Sequence, residues 1–145
     1  SRNEKLAALM RRIGVCEEQG SGWDKVVFQI EYYQLPAPLP QLGPDFMNVV
    51  LFSPRPLTQM EPEDRIRAVY LHSCLRYTEQ KKTNNTSIRE RFGISEGNKA
   101  QASRLLREAV ENGAIVPYDA DSPSKLMRYV PFWAASEKPI GFVDG

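Results

Sequence analysis

A chain of 145 residues has room for one ordinary domain or two small ones. With 41% hydrophobic and 26% charged residues it has the proportions of a folded globular protein, which excludes wholesale disorder. Its 19 basic and 18 acidic side chains leave a formal net charge of +1, so a polyanionic partner has to be met by a local cluster of charge rather than by the total.

The chain opens at Ser1 directly into a helical pattern, giving the expectation of a piece of a longer protein. Leu6, Leu9, Met10 and Ile13 recur at helical spacing, and Gly14 comes next as a C-terminal stop. After "VCEEQGSG" a second helix is predicted from about Trp23 to Tyr33, with Val26, Val27, Ile30 and Tyr33 as its inner stripe. "QLPAPLPQLGP", with four prolines, reads as extended loop. "FMNVVLF", Phe46 to Phe52, is apolar and rich in β-branched and aromatic residues, the signature of a buried strand. Two helices and one strand make a poor core alone, so residues 1–55 call for a sheet from upstream sequence or for packing on the next domain.

"SPRPLTQMEP" is a linker. Pro62 suits a first helical turn, with Glu63 and Asp64 beside the positive helix end, and Ile66, Val69, Tyr70, Ser73 and Tyr77 mark one face. "EQKKTNN" interrupts the pattern. A short helix, "TSIRERF", is predicted to be capped by Thr86 or Ser87, with Ser87 and Glu90 as a capping box and Gly93 as its end. A third helix comes after it, with Ala102, Leu105, Leu106, Ala109 and Val110 as its apolar stripe and Gly113 just past its end. "AIVPYD" and "LMRYVPFW" are two strands with "ADSPSK" as the hairpin tip, and Pro117 and Pro131 suggest exposed edges. The tail "ASEKPIGFVDG" has no periodicity.

Helix, short helix, longer helix and β-hairpin, in that order, is the succession of a winged helix, whose third helix can enter a DNA major groove. With the apolar stripe turned inward, the opposite face of that helix carries Gly97, Ala100, Arg104, Arg107 and Glu111, flanked by Gln101 and Ser103. Small residues allow close approach, Arg pairs with guanine or phosphate, and Gln reads adenine. Supporting contacts of the phosphate type would come from Thr86, Ser87 and Arg89, from Lys81 and Lys82, and from Lys125 and Arg128 on the wing. The competing reading is a solvated helix face in a protein-docking module. Tyr118, Tyr129, Phe132 and Trp133 favour that alternative, as exposed aromatics that anchor an interface.

"RNEKLAALMRRIGVCEEQGSGWDKVV", "QLPAPLP" before a Phe-led strand, "RERFGI" and "ASRLLREAVENGAIVPYD" together resemble the C-terminal region of a bacterial and archaeal family labelled RecG-related ATP-dependent DNA helicases or transcriptional regulators. Arg2, Asn3, Gly14, Glu18, Gly20 and Gly22 fit its pattern, with Ser21 where Thr is common. The resemblance runs from Arg2 to about Trp133. It implies a Schlafen/AlbA-type DNA-binding domain upstream, of which nothing is present here, and ATP as a cofactor of the full-length protein. Gly20, Ser21 and Gly22, with Lys25, are then the place for nucleotide contact, since glycines before a helix expose N–H groups to an anion. The alternative for the same residues is a tight interhelical turn.

The label outruns the chemistry. A helicase motor needs G-x-x-x-x-G-K-[ST] and an acidic magnesium partner, and this chain carries neither. Cys16 and Cys74 are isolated and His72 is the single histidine, so no metal set and no catalytic set is recognisable. No run approaches the ~20 apolar residues of a membrane span and no signal peptide opens the chain, which makes the cytoplasm the expected setting. The fold class predicted is α+β: residues 1–55 as the end of a RecG-related, ATPase-like domain, 56–135 as the winged helix, and 136–145 as a flexible tail. The expected partners are double-stranded DNA, upstream domains of the same protein, and a second copy of the chain, with no membrane contact.

Overall fold

The computed structural model describes residues 3–14, 21–119, 123 and 126–136, and it is mixed α+β. Helix α1 (Glu4–Arg12) starts at Asn3, whose Oδ1 accepts from the Leu6 N–H at 3.0 Å, and it ends at Gly14 with φ +73°. Helix α2 (Ser21–Tyr32) buries Val27 and Ile30. Tyr33, predicted for its inner stripe, is 64% exposed, because the helix has already ended. Gln34 turns left-handed (φ 53°) and the Leu35 N–H closes back on the Ile30 carbonyl at 2.9 Å.

The proline stretch is not all loop. Pro36, Ala37 and Pro38 are buried, and Leu39–Leu42 forms strand β1, paired antiparallel with β2 (Met47–Val50). The Gly43 N–H bonds to the Phe46 carbonyl at 2.9 Å, which makes this a hydrogen-bonded pair. Alternation along the ladder then puts Pro40 opposite Val49 at a non-bonded position, where a missing N–H costs the hairpin nothing. The strand expected in "FMNVVLF" is present but is not buried. Phe46, Met47, Val49 and Leu51 are exposed and Leu42 is 82% exposed, since among the described residues no layer covers the two strands.

The remaining elements build the main core. Helix α3 (Pro62–Thr78) begins at Pro62, α4 (Asn85–Phe92) and α5 (Lys99–Glu111) come next, and β3 (Ile115–Pro117) pairs antiparallel with β4 (Tyr129–Pro131). Val69, Ile88, Ala102, Leu105, Leu106, Ala109 and Ile115 form one buried cluster. The expected capping box is displaced by three residues. Asn84 is the cap, its Oδ1 accepting from the Ser87 N–H (2.8 Å) while Ser87 Oγ accepts from the Asn84 N–H (3.1 Å). Gly93 and Gly113 end α4 and α5 in the left-handed region, with φ of +62° and +69°.

Thr83 adds a bridge to the hairpin. Its N–H bonds to the Tyr129 carbonyl at 3.0 Å, and the Tyr129 N–H bonds to its carbonyl at 2.8 Å. Strand β4 therefore runs between Thr83 and β3. Pro131, predicted at an exposed edge, is fully buried, paired with Ile115 on a strand that packs against α3, whereas Pro117 stays exposed. Tyr129, predicted exposed, is half-buried by the same enclosure. Phe132 stacks on Tyr70 at 5.9 Å and Trp133 meets Tyr77 edge-on at 5.2 Å, so each rests on α3 while staying exposed, as Tyr118 does.

A polar cluster joins α2 to this core. Glu31 Oε1 accepts from Arg91 Nε at 2.7 Å, Arg91 Nη2 donates to the Leu35 carbonyl at 2.6 Å, and His72 Nδ1 lies 2.8 Å from Glu31 Oε2. The Gln34 amide adds a bond to the Glu90 carbonyl at 2.8 Å. Arg91 is only 4% exposed. Removing one partner of a buried pair strands the other charge away from water, at a cost of about 3–5 kcal/mol. Arg91→Ala and Glu31→Gln should each lower unfolding free energy by about 3 kcal/mol in urea titrations, whereas Arg89→Ala, on the same helix, should cost less than about 1 kcal/mol.

Candidate nucleic-acid interface

Helix α5 sorts its side chains cleanly. Ala102, Leu105, Leu106 and Ala109 are buried against α3 and α4, which turns Ala100, Ser103, Arg104, Arg107 and Glu111 to solvent. Arg104 and Arg107 sit one helical turn apart on this ridge. Among the described residues neither guanidinium has a carboxylate within ion-pair distance. Gly97 lies ahead of the helix in the 3₁₀ turn Glu96–Asn98, exposed, with open space where a side chain would go.

On one flank of the ridge is a groove of about 440 Å³. Asn85 and Thr86 border it from the start of α4, Ser103 and Arg107 from α5, and Arg128 and Tyr129 from the hairpin. Asn85 fixes the two helices here, its amide donating to the Lys99 carbonyl at 3.0 Å and to Ser103 Oγ at 2.9 Å. Burial pushes the Tyr129 phenol above its ordinary range, and Arg107 pulls the other way. Gln101 and Arg104 border a separate pocket on the other flank, beside the 3₁₀ turn Leu57–Gln59.

Thr86 is exposed at the first turn of α4. Ser87 is buried with its hydroxyl committed to the cap, and this removes it from any outward role. Arg89 is half-buried and bent back on its own helix, with Nε on Asn85 Oδ1 (3.2 Å) and Nη2 near Thr86 Oγ1 (3.4 Å). Lys81 pairs with Glu79 at 3.1 Å, and Lys82 Nζ sits 3.7 Å from the Tyr118 ring centroid. Glu96 is the acid nearest the start of α5. Lys99 Nζ at 2.9 Å, and then Arg89, hold its carboxyl below the usual range. Lys125, Gly20 and Cys16 lie outside the described residues.

Ser21 and Gly22 fall within the first turn of α2 rather than in a loop before it. A Cβ on Gly22 would meet nothing within 4 Å, so no close approach of backbone calls for glycine there. Lys25 is exposed on the same helix. Sequence reasoning missed Arg91, Glu31 and Asn85. Asn85 was within reach, since an Asn pair ahead of an apolar-periodic run is an N-terminal signal.

Among the described residues, no group of three His, Cys, Asp or Glu side chains converges to hold a metal, and no helix is long and apolar enough to cross a membrane. Residues 1–51 match a family model described as "Putative ATP-dependent DNA helicase recG C-terminal". The match covers α1, α2 and the β1–β2 hairpin, about a third of the chain. No curated protein and no solved structure matches the chain.

Because Asn84 anchors α4 beside the groove, Asn84→Ala should cost about 1 kcal/mol in denaturant unfolding, the usual loss for a polar cap. Thr86→Ala, at an exposed position that caps nothing, should stay within about 0.5 kcal/mol of the parent.

Proposed function

We propose that residues 56–135 act as a winged-helix DNA-binding region of a transcriptional regulator, with α5 as the helix that enters the major groove and β3–β4 as the wing. The observation that carries this reading is the exposed Arg104–Arg107 ridge, opposite a fully buried apolar stripe and without a carboxylate partner among the described residues. Ala100 and Gly97 leave room at the leading end of the helix for close approach to base edges. Gln101 and the two arginines supply donors for base or phosphate. Thr86, Arg89 and Arg128, with Lys125, would take backbone phosphates. Glu111 trails at the far end of α5, where such helices leave the bases. No catalytic step belongs to this reading, and ATP would act only in a longer protein.

A second reading, a docking or dimerisation role, is favoured by residues 1–51. Among the described residues, most of the exposed large apolar side chains lie there, including Leu6, Leu9, Phe28, Leu42, Met47 and Leu51. The two readings are compatible, since one concerns the matched segment and the other the helices after it. Sedimentation at rising concentration, with and without upstream domains of a longer protein, tests it. A monomer at every concentration that ignores those domains would remove it.

The DNA reading is tested by fluorescence anisotropy with a labelled mixed-sequence duplex between about 50 and 200 mM salt. Affinity should fall steeply with salt as condensed counterions are released. Arg104→Ala and Arg107→Ala should each weaken low-salt binding about tenfold and reduce the logarithmic salt slope by about one. A chain that binds no duplex at low salt would overturn the proposal.

A further inference from the structure

Two ionisable side chains have no part in the interface. Arg65 on α3 and Glu108 on α5 are opposite in charge, both are half-buried, and both line the pocket of about 310 Å³ beside the Leu57–Gln59 turn. Among the described residues neither has an ion-pair partner, and they do not pair with each other. Arg65 Nε and Glu108 Oε2 are shut off from solvent with no hydrogen bond made. Buried polar atoms in folded proteins are almost always partnered. A cation and an anion that share one pocket without meeting are suited to an occupant that carries both charges.

The rest of the lining narrows the class. Arg104 brings a second guanidinium and Gln101 an amide, while Leu57 and Leu105 supply apolar wall. We propose that this pocket binds a small zwitterion of the α-amino acid class, its carboxylate on the Arg65 and Arg104 guanidiniums, its ammonium on Glu108, and an aliphatic side chain against Leu57 and Leu105. The planar guanidinium fork matches a carboxylate in geometry. The volume sits at the lower end of small-molecule sites, roughly 300–1,000 Å³, and the pocket is open to solvent on one side. A ligand with only one of the two charges leaves either Glu108 or Arg65 unpaired in a half-dry site, and that penalty is the source of selectivity. The pocket shares Arg104 with the ridge of the DNA reading, and its test uses no nucleic acid.

The test is an amide-resolved NMR titration of the 145-residue chain with L-leucine up to roughly 10 mM, set beside 4-methylpentanoate and 3-methylbutylamine, which keep one charge each. Leucine should produce saturable shifts at Thr58, Arg65, Gln101, Arg104 and Glu108, and each single-charge probe should bind about tenfold more weakly or worse. Glu108→Gln should erase the advantage of leucine over 4-methylpentanoate, and Arg65→Gln should reduce its advantage over the amine, with Arg104 still on the carboxylate. An unchanged spectrum away from the pocket shows that each variant is folded. Absence of saturable shifts with leucine, equal binding of the three probes, or a Glu108→Gln chain that keeps the preference would each overturn the proposal.

Discussion

One buried ion pair holds two distant segments of this chain in a fixed relation. Glu31 belongs to α2 and Arg91 to α4, sixty positions later, and the guanidinium between them is nearly cut off from water. A charge in that position is tolerable only while its carboxylate and the Leu35 carbonyl stay in place. The requirement is reciprocal. Helix α2 has few buried apolar residues of its own, so the polar cluster with His72 and Gln34 largely decides where it docks. The position of α4 is thereby referred to a segment inside the matched residues 1–51, while α4 itself lies beyond them.

The same helix α4 is tied on its other side to α5, through Asn85. Arg91 and Asn85 thus grip one eight-residue helix from two directions, and the ridge that bears Arg104 and Arg107 inherits its orientation from both. The apolar cluster supplies most of the cohesion here, with side chains such as Ile88 and Val69 each contributing about 2 kcal/mol by leaving water. Cohesion alone does not fix direction. The hydrogen bonds and the buried charge do that, because they hold at one geometry and fail at others.

How much of the fold was legible depends on the range of each signal. Gly14, Gly93 and Gly113 announced three helix ends, since a left-handed turn is a local demand that glycine meets most cheaply. The α5 stripe was legible because its period repeats for three turns. The cap of α4 was misplaced because Thr86, Ser87 and Asn84 all have the chemistry of a cap, and only the path of the chain chooses among them. Burial of "FMNVVLF" was misjudged for a different reason. Composition says what a strand would like to touch, while exposure depends on whether anything lies over it. Pro131 was misjudged in the opposite sense, since α3, far away in sequence, packs against β4. No local pattern encodes the Glu31–Arg91 pairing. Its partners are far apart in sequence and each looks like an ordinary surface charge.

Pro40 acts beyond its own strand. Its ring faces the outer margin of β1, where it offers no donor. The margin of β2 is different, with the backbone groups of Met47 and Val49 directed outward by the alternation of the ladder. The ribbon is therefore asymmetric: of the two outward positions on β1, Pro40 offers no donor and only Leu42 does, whereas on β2 both Met47 and Val49 do. A strand that joins it, from this polypeptide or another, finds the fuller set of backbone partners alongside Met47–Val50.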